Sequence, residues 1–381
     1  MVFLLMIAVG LIGANSLILS PIAAEVAAGL GVANPADVMS AAGTYGVGVA
    51  VAALGLAPLA DRYGADNTLK VALLVIAGAL GLSAVAPTLT ILILGQTLTG
   101  VGVGIALPAA YSMAALIAAP GKEAQTVGKV LTGWMLAMVG GVTLSAYGAE
   151  IFGWRTVFGI LSAALLFVVL IMQIVSLPKA PRTEKVTSPI SALRVPGILG
   201  ALFSVAAFSF AFYGIYNYLG THITEHLGHP VSDAGIYTLI YGLGFGFGMF
   251  FDRFFEGVGP RRALAAIYAA LVLFMGAAYL TADWFNGLAA LMFVWGVINH
   301  FGLNMTVNRL TALDPSQRGA IMGLNSAVMY LGVFGATLGF GPLFDTWGLR
   351  ACIVAAAIIA TIGCLESLYA RRLDNRLRLA S

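Results

Sequence analysis

Helical spacing places several polar side chains in the second half of the chain on one face. His300, Asn304 and Asn308 follow Gly296 at intervals of four residues, which puts them on one side of a helix. Imidazole is the only one of these groups that gains and loses a proton near neutral pH in water, whereas amides only donate and accept hydrogen bonds. This face is therefore suited to binding a proton or a polar solute, with Asn304 one turn from His300 to orient its ring.

Other uncharged polar residues interrupt apolar stretches elsewhere, and no acidic or basic residue accompanies them. We therefore expect a neutral, hydrogen-bonding site with no carboxylate in its middle. For any single Asn or Tyr, a structural hydrogen bond between helices, worth about 0.6 kcal/mol in a membrane, is an equally good explanation.

The elements that hold these residues are predicted to be membrane-spanning helices. Of the 381 residues, 60% are hydrophobic and 9% are charged, whereas soluble proteins carry about 25% charged residues. A spanning helix needs about 20 apolar residues. Twelve such runs, separated by short polar or Gly/Pro breaks, lie near 3–31, 38–60, 69–87, 89–117, 130–149, 154–177, 197–226, 232–251, 262–281, 286–310, 317–342 and 349–370. The sequence therefore predicts an all-α membrane protein without a separate soluble domain.

The distribution of positive charge orients these twelve spans. All but two of the 19 Lys and Arg residues fall in loops, helix ends and a tail on the side that holds both termini. The exceptions are Arg155 and Arg350. By the positive-inside rule, we expect both termini to be cytoplasmic.

The two halves of the chain are similar to each other. Asp252 in the second half corresponds to Asp61 in the first half, and Arg350 corresponds to Arg155. The corresponding residues are about 195 positions apart. Such parallel six-helix repeats are a transporter architecture, with the substrate site between the halves near mid-membrane. The predicted divisions are an N-terminal bundle 1–177, a cytoplasmic linker 178–196, a C-terminal bundle 197–370 and a basic tail 371–381.

A family resemblance rests on the segment from Ala57 to Gly64, Ala-Pro-Leu-Ala-Asp-Arg-Tyr-Gly. It resembles the loop 2–3 signature of the major facilitator superfamily, G-x-L-a-D-r-x-G-r-k. The resemblance implies two pseudo-symmetric six-helix bundles, with the central site lined by spans 1, 4, 7 and 10. The site members that it implies on these four spans are Asn15, Gln96, Tyr213, Tyr216, Asn217, Trp295, Asn299, His300 and Asn304. It also implies a gate, in which a carboxylate opposes the positive end of a neighbouring helix. The implied gating residues are Asp61, Arg62, Gly64, Asp252, Arg253 and Arg155.

Two other family signatures are altered in this chain. Gln96 stands where the span 4 signature has an Arg that the family uses in proton coupling, and Gln cannot titrate. Thr143 and Ser145 replace Pro and Gly of the span 5 antiporter signature, which precedes Gly-Trp-Arg155. The N-terminal segment is similar to the start of bacterial sugar and drug efflux permeases, which implies a location in the inner membrane.

These features predict a secondary transporter that exports a small neutral or weakly polar solute in exchange for protons, with His300 as the coupling group. An uncoupled or differently coupled facilitator or importer of a small polar solute is the alternative, because Gln96 replaces the coupling Arg. A membrane metalloenzyme would depend on His222, Glu225 and His226, which fit H-x-x-E-H. A solvated helix end explains that motif better. We expect a monomer in contact with membrane lipid, without a metal, cofactor or nucleic-acid partner.

Overall fold

The computed structural model describes residues 1–56, 59–175, 177–180, 188–254, 260–314 and 317–380. The described part also excludes the side chains of Asp61, Ala124, Arg253, Phe254, Arg261 and residues 371–380. Every regular element in the described ranges is a helix, which confirms the predicted all-α class.

The helices follow one another with short connections. The first ten membrane helices are α1 Val2–Leu30, α2 Met39–Gly55, α3 Ala65–Ala84, α4 Leu89–Leu116, α5 Glu123–Leu136 with its continuation Val142–Phe152, α6 Trp154–Ile174, α7 Ile198–Thr221, α8 Val231–Gly248, α9 Pro260–Thr281 and α10 Phe285–Thr311. Short 3-10 helices lie at Pro35–Val38, Pro189–Arg194 and Met249–Phe254, and a five-residue helix lies at Leu59–Tyr63.

The last helical stretch, Arg318–Ala380, consists of two membrane helices. A single helix over its 53-residue apolar part would be about 80 Å long, far more than the hydrocarbon core of about 30 Å. The break is at Gly348, whose φ of 71° favours glycine. We therefore define α11 as 318–347 and α12 as 349–380, and the described helices give the twelve spans that the sequence predicts.

Several helix boundaries differ from the sequence-based ones, among them those of α2 and α5. Helix α2 ends at Gly55, five residues earlier than expected, and the short helix Leu59–Tyr63 follows separately. Helix α5 begins at Glu123, earlier than expected, where the Glu123 carboxylate accepts the Gly121 N–H at 3.0 Å. Hydrogen bonds from its own backbone N–H and from that of Gly121 lower the pKa of Glu123. The first turn of α5 is polar and lies outside the apolar run, so a hydropathy pattern does not include it.

Helices α1–α6 form the N-terminal half, and α7–α12 form the C-terminal half. Among the described residues, the halves meet mainly through three helix pairs, α1 with α7, α2 with α11 and α5 with α8. We call the side that carries both chain ends the termini face, and the other side the opposite face. Whether the boundaries of the halves fall at 177 and 197 stays a prediction, since 181–187 lie outside the described residues.

Several hydrogen bonds that join the halves lie between mid-membrane and the opposite face. Thr143 of α5 donates to the carbonyl of Gly235, in the second turn of α8, at 3.1 Å. Closer to the opposite face, Glu150 accepts the backbone N–H of Ser232 at 2.7 Å, and Asn34 donates to Asp345 at 2.9 Å. These contacts fasten the two halves together on the opposite face.

Candidate functional site

The N-terminal half contributes a buried chain of uncharged polar groups. Asn15 of α1 donates through Nδ2 to Gln96 Oε1 at 3.2 Å, and Gln96 Nε2 donates to Ser83 Oγ at 3.2 Å. Gln96, which occupies the position of the family Arg, is 1% exposed, and both ends of its amide are bonded. The Asn15 Oδ1 atom is buried and has no partner among the described residues. A buried acceptor without a hydrogen bond lowers the free energy of unfolding unless another donor reaches it.

The C-terminal half contributes aromatic rings grouped around Phe212. The ring centroid of Phe212 lies 4.9 Å from Tyr213, 5.2 Å from Tyr216, 5.6 Å from Tyr241 and 5.1 Å from Trp295. We call these five residues the aromatic cluster. The sequence predicted three of them, but missed Phe212, which is apolar, and Tyr241, which lies on α8 rather than on an expected cavity helix.

A pair of tyrosines, one from each half of the protein, is in contact across the boundary between the halves. Tyr45 of α2 meets Tyr330 of α11 edge to face, with ring centroids 6.0 Å apart, and its hydroxyl lies 2.6 Å from Ser16 Oγ of α1. Both rings are buried. Neither residue lies on spans 1, 4, 7 or 10, so neither is among the residues that the sequence predicts for the site. A tyrosine within an apolar run was the available signal.

Two further predicted amides, Asn299 and Asn217, lie within the C-terminal half. Asn299 donates to the Tyr241 hydroxyl at 3.2 Å, which ties α10 to the aromatic cluster. Asn217 is 2% exposed, and its Nδ2 has no partner among the described residues. Thr221 lies one turn further along α7, and its buried hydroxyl also has no partner among the described residues. The interior of the protein therefore holds an unpaired donor on α7 and an unpaired acceptor on α1.

Tyr216 is part of the contact between the halves. Its hydroxyl donates to the Leu17 carbonyl of α1 at 3.0 Å, and its own carbonyl accepts from Ser20 at 2.5 Å. The Leu17 carbonyl has no helical partner because Pro21, four residues later, has no N–H. Tyr216 supplies the missing donor. Its hydroxyl is thus committed to this contact, while its ring remains in the aromatic cluster.

His300, from the middle of α10, contacts a carboxylate at the end of α8. Its Nε2 lies 2.8 Å from Asp252 Oδ1, and Asn304 Nδ2 lies 3.0 Å from that nitrogen and 3.3 Å from that oxygen. The His300 side chain is 3% exposed, whereas that of Asp252 is 48% exposed. The buried His300 Nδ1 has no partner among the described residues. We call these three residues the His300 cluster.

A carboxylate therefore lies beside one of the predicted site residues, whereas the absence of a carboxylate from the middle of the site stays a prediction. Asp252 lies in the 3-10 helix Met249–Phe254, whereas α10 continues for seven residues beyond Asn304. Helix α8 also packs its backbone directly on the imidazole, since a Cβ atom at Gly248 would lie 2.9 Å from the His300 ring. An acid at the end of one span thus reaches a histidine in the middle of another.

The residues of the implied gate have different surroundings. Gly64 has a φ of 89°, and a Cβ there would lie 2.8 Å from Asp66 Oδ1, which accepts the Ala180 N–H of the linker at 3.2 Å. The Arg62 guanidinium lies 5.6 Å from the Tyr63 ring. The side chains of Asp61 and Arg253 lie outside the described residues, so the roles of these two residues in the gate stay a prediction.

Arg155 fastens the N-terminal half at the opposite face. Its Nη2 donates to the Ala86 carbonyl at 3.0 Å and to the Gly29 carbonyl at 3.4 Å, and its guanidinium lies 4.3 Å from the Trp154 ring. These carbonyls belong to the chain just after α3 and to the end of α1. Arg155 therefore joins the ends of three helices within one half.

The altered antiporter signature lies beside a π-helical turn. Helix α5 changes to π-helix at Ala137–Gly141, immediately before Thr143. A π-turn bends a helix and leaves backbone groups for other partners. Helix α5 is therefore irregular just before the positions of Thr143 and Ser145.

The histidines near the opposite face do not form a metal site in the described part of the chain. His222 Nε2 lies 2.9 Å from the Ala282 carbonyl, and its ring stacks on His226 at 4.9 Å. His226 faces Asp283 at 3.5 Å. Among the described residues, no group of three His, Cys, Asp or Glu side chains could hold a metal ion.

Comparisons with known proteins agree with this architecture. The profile of the Major Facilitator Superfamily matches residues 5–337. The uncharacterized MFS-type transporter YwfA of Bacillus subtilis (strain 168) is 25% identical over 375 residues, which cover 96% of this chain and 90% of that protein. A bacterial homolog of the human lysosomal transporter Spinster, crystallised in an inward-facing and occupied conformation, has the same fold. Its TM-score is 0.73 at 16% identity, over 97% of this chain and 96% of that chain. This chain therefore belongs to the Major Facilitator Superfamily, whose members are secondary transporters that work by alternating access and not enzymes.

Proposed function

We propose that this transporter exports a small neutral or weakly polar organic solute in exchange for protons, across a bacterial inner membrane with both termini in the cytoplasm. The contact between His300 and Asp252 carries the proposal of proton exchange. Export follows from the resemblance to efflux permeases, and the orientation follows from the positive charges on the termini face.

Proton exchange is supported by the chemistry of the His300 cluster. A contact of 2.8 Å between Nε2 and a carboxylate oxygen requires a proton between them. With one more proton on the imidazole, the pair has no net charge, whereas without it the pair carries one negative charge. Burying an isolated charge in a membrane is costly, so closing the protein around this pair is easier when the extra proton is bound. The exposed Asp252 provides contact with water.

A neutral solute is supported by the groups between the halves. The aromatic cluster offers ring faces, and Asn15 and Asn217 offer an unpaired acceptor and an unpaired donor. The proposed substrate contacts are Asn15, Gln96, Tyr213, Tyr216, Asn217, Trp295 and Asn299, with His300 and Asn304 at the edge of the site. A flat, uncharged molecule with one donor and one acceptor matches this combination.

The test uses purified protein in liposomes with an imposed pH gradient. A thermal-shift screen in detergent first selects an uncharged ligand, because a ligand that prefers the native state stabilises it. We expect His300→Gln and Asp252→Asn to abolish the dependence of transport on the gradient. His229→Gln is the matched control, since His229 also lies 2.8 Å from a carboxylate, that of Asp233, but near the opposite face. Unchanged gradient dependence in both cluster variants would refute the proposed coupling.

A second candidate function is transport without protons. Gln96 supports it, because the position that carries a charged Arg in the family signature is here a bonded amide in a neutral chain. In that case, wild-type transport would follow the solute gradient alone. Equal rates with and without a pH gradient would favour this function over proton exchange.

A further inference from the structure

An apolar groove of about 660 Å³ lies on the membrane-facing surface between α9 and α12. Its lining includes Val272, Met275 and Gly276 from α9 and Ile353 and Ala357 from α12. A second groove of about 510 Å³ shares Tyr279, Val354 and Ile358 with the first, and adds Trp347 and Arg350. The two grooves therefore form one channel along the surface that ends at an arginine near the opposite face. We call it the α9–α12 groove.

The length of this groove corresponds to one leaflet of a bilayer. From Arg350 to Ile362, α12 rises by about 18 Å at 1.5 Å per residue. Half of a hydrocarbon core of about 30 Å is about 15 Å. The groove thus extends from the membrane surface to about the middle of the membrane, as a lipid acyl chain does.

The polar end of the groove holds a positive and a negative charge side by side. Arg350 Nη2 lies 2.9 Å from Asp283 Oδ2, and the two side chains are 46% and 47% exposed. The guanidinium lies 5.5 Å from the Tyr279 ring, and Trp347 is 67% exposed beside it. Tyr and Trp in such places are typical of the level of lipid headgroups. A guanidinium has five donors in a planar fork, so one contact to Asp283 leaves others for a phosphate.

The equivalent arginine of the N-terminal half is used differently. Arg155 bonds the backbone carbonyls of Gly29 and Ala86 and lies over Trp154. Thr88 stands where the repeat places Asp283. The exposed pair of opposite charges at a groove end is therefore a feature of the C-terminal half that the duplication alone does not explain.

We propose that the α9–α12 groove binds one zwitterionic phospholipid. One acyl chain lies between α9 and α12, the phosphate contacts Arg350, and the headgroup ammonium contacts Asp283. The adjacent charges of the protein match those of phosphate and ammonium in such a headgroup. A phospholipid with only a negative charge would leave Asp283 facing an anion. This inference goes beyond the proposed function, because it concerns neither the solute nor the protons.

The experiment measures lipid binding by the purified full chain. Delipidated protein in detergent is titrated with dioleoyl phosphatidylethanolamine or dioleoyl phosphatidylglycerol, and native mass spectrometry and the thermal midpoint report binding. We expect phosphatidylethanolamine to bind about tenfold more tightly than phosphatidylglycerol. Asp283→Asn should remove that preference while phosphatidylglycerol still binds.

Filling the groove provides a second and independent measurement. A side chain at Gly276 would point into open space, since a Cβ there meets no atom within 4 Å. Gly276→Leu should therefore fold normally and weaken phosphatidylethanolamine binding about tenfold. Gly78→Leu is the matched control, because Gly78 of α3 is also exposed with open space around its Cβ position.

Three results would overturn the proposal. The first is equal affinity of the wild type for the two lipids. The second is unchanged binding of phosphatidylethanolamine to Gly276→Leu. The third is a wild-type dimer in detergent that Gly276→Leu, but not Gly78→Leu, converts to a monomer. That result would assign the groove to a second copy of the chain instead of a lipid.

Discussion

Replacing Tyr216 with Phe removes one hydroxyl from the contact between the halves and leaves the ring in place. In the structure, that hydroxyl donates to the Leu17 carbonyl, which Pro21 deprives of its helical partner. In a state that is open at the opposite face, water could reach the same carbonyl. The substitution should therefore destabilise the arrangement of this structure, in which the halves are in contact at the opposite face, relative to the state that is open there.

The size of this effect follows from one hydrogen bond. Such bonds between membrane helices contribute about 0.6 kcal/mol on average and at most about 1.7 kcal/mol. A loss of 0.6 kcal/mol changes the ratio of open to closed molecules about threefold, and 1.7 kcal/mol changes it about twentyfold. Ser20→Ala removes the neighbouring bond to the Tyr216 carbonyl. The double variant should shift the ratio further, by about the product of the two single effects if they are independent.

The ratio can be measured from distances between two spin labels on the opposite face. We suggest Thr156 in the N-terminal half and Trp284 in the C-terminal half, both exposed, in a background that lacks Cys352 and Cys364. Tyr237→Phe is the control. Its buried hydroxyl also donates to a backbone carbonyl, that of Phe285 at 2.6 Å, but within one half. An equal distance distribution in the Tyr216 variant and wild type, or an equal shift in the control, would refute this reasoning.

Three further predictions concern stability, the linker and topology. Arg309 is 5% exposed and bonds both oxygens of Glu366, at 2.6 and 2.7 Å. Glu366→Gln should therefore lower the free energy of unfolding by about 3–5 kcal/mol, measured in detergent, and an unchanged midpoint would contradict this. Gly64→Ala should displace the linker from Asp66 and speed tryptic cleavage after Lys179, because positive φ is costly for Ala. A cysteine added at the C-terminus should react with a membrane-impermeant reagent only from the cytoplasmic side, and labelling of intact cells from outside would show that the topology is wrong.

The sequence alone determined the fold class and most of the architecture. Twelve apolar runs require twelve helices, because a backbone in lipid must satisfy its own hydrogen bonds. The helical interval of four residues placed His300 and Asn304 on one face, and the structure has them in contact. These are local properties that depend on composition and on the geometry of one helix.

Only the tertiary structure decided which helices bring their polar groups together. Asp252 reaches His300 because of how far α8 and α10 are shifted against each other along the membrane normal. No pattern within either helix contains that shift. Likewise, Tyr216 became part of the contact between the halves because Pro21 on another helix leaves a carbonyl without a donor. Pairing across helices depends on how far each helix is shifted and rotated against its neighbour. These quantities are set by the packing of many side chains at once, so a periodicity along one segment does not contain them.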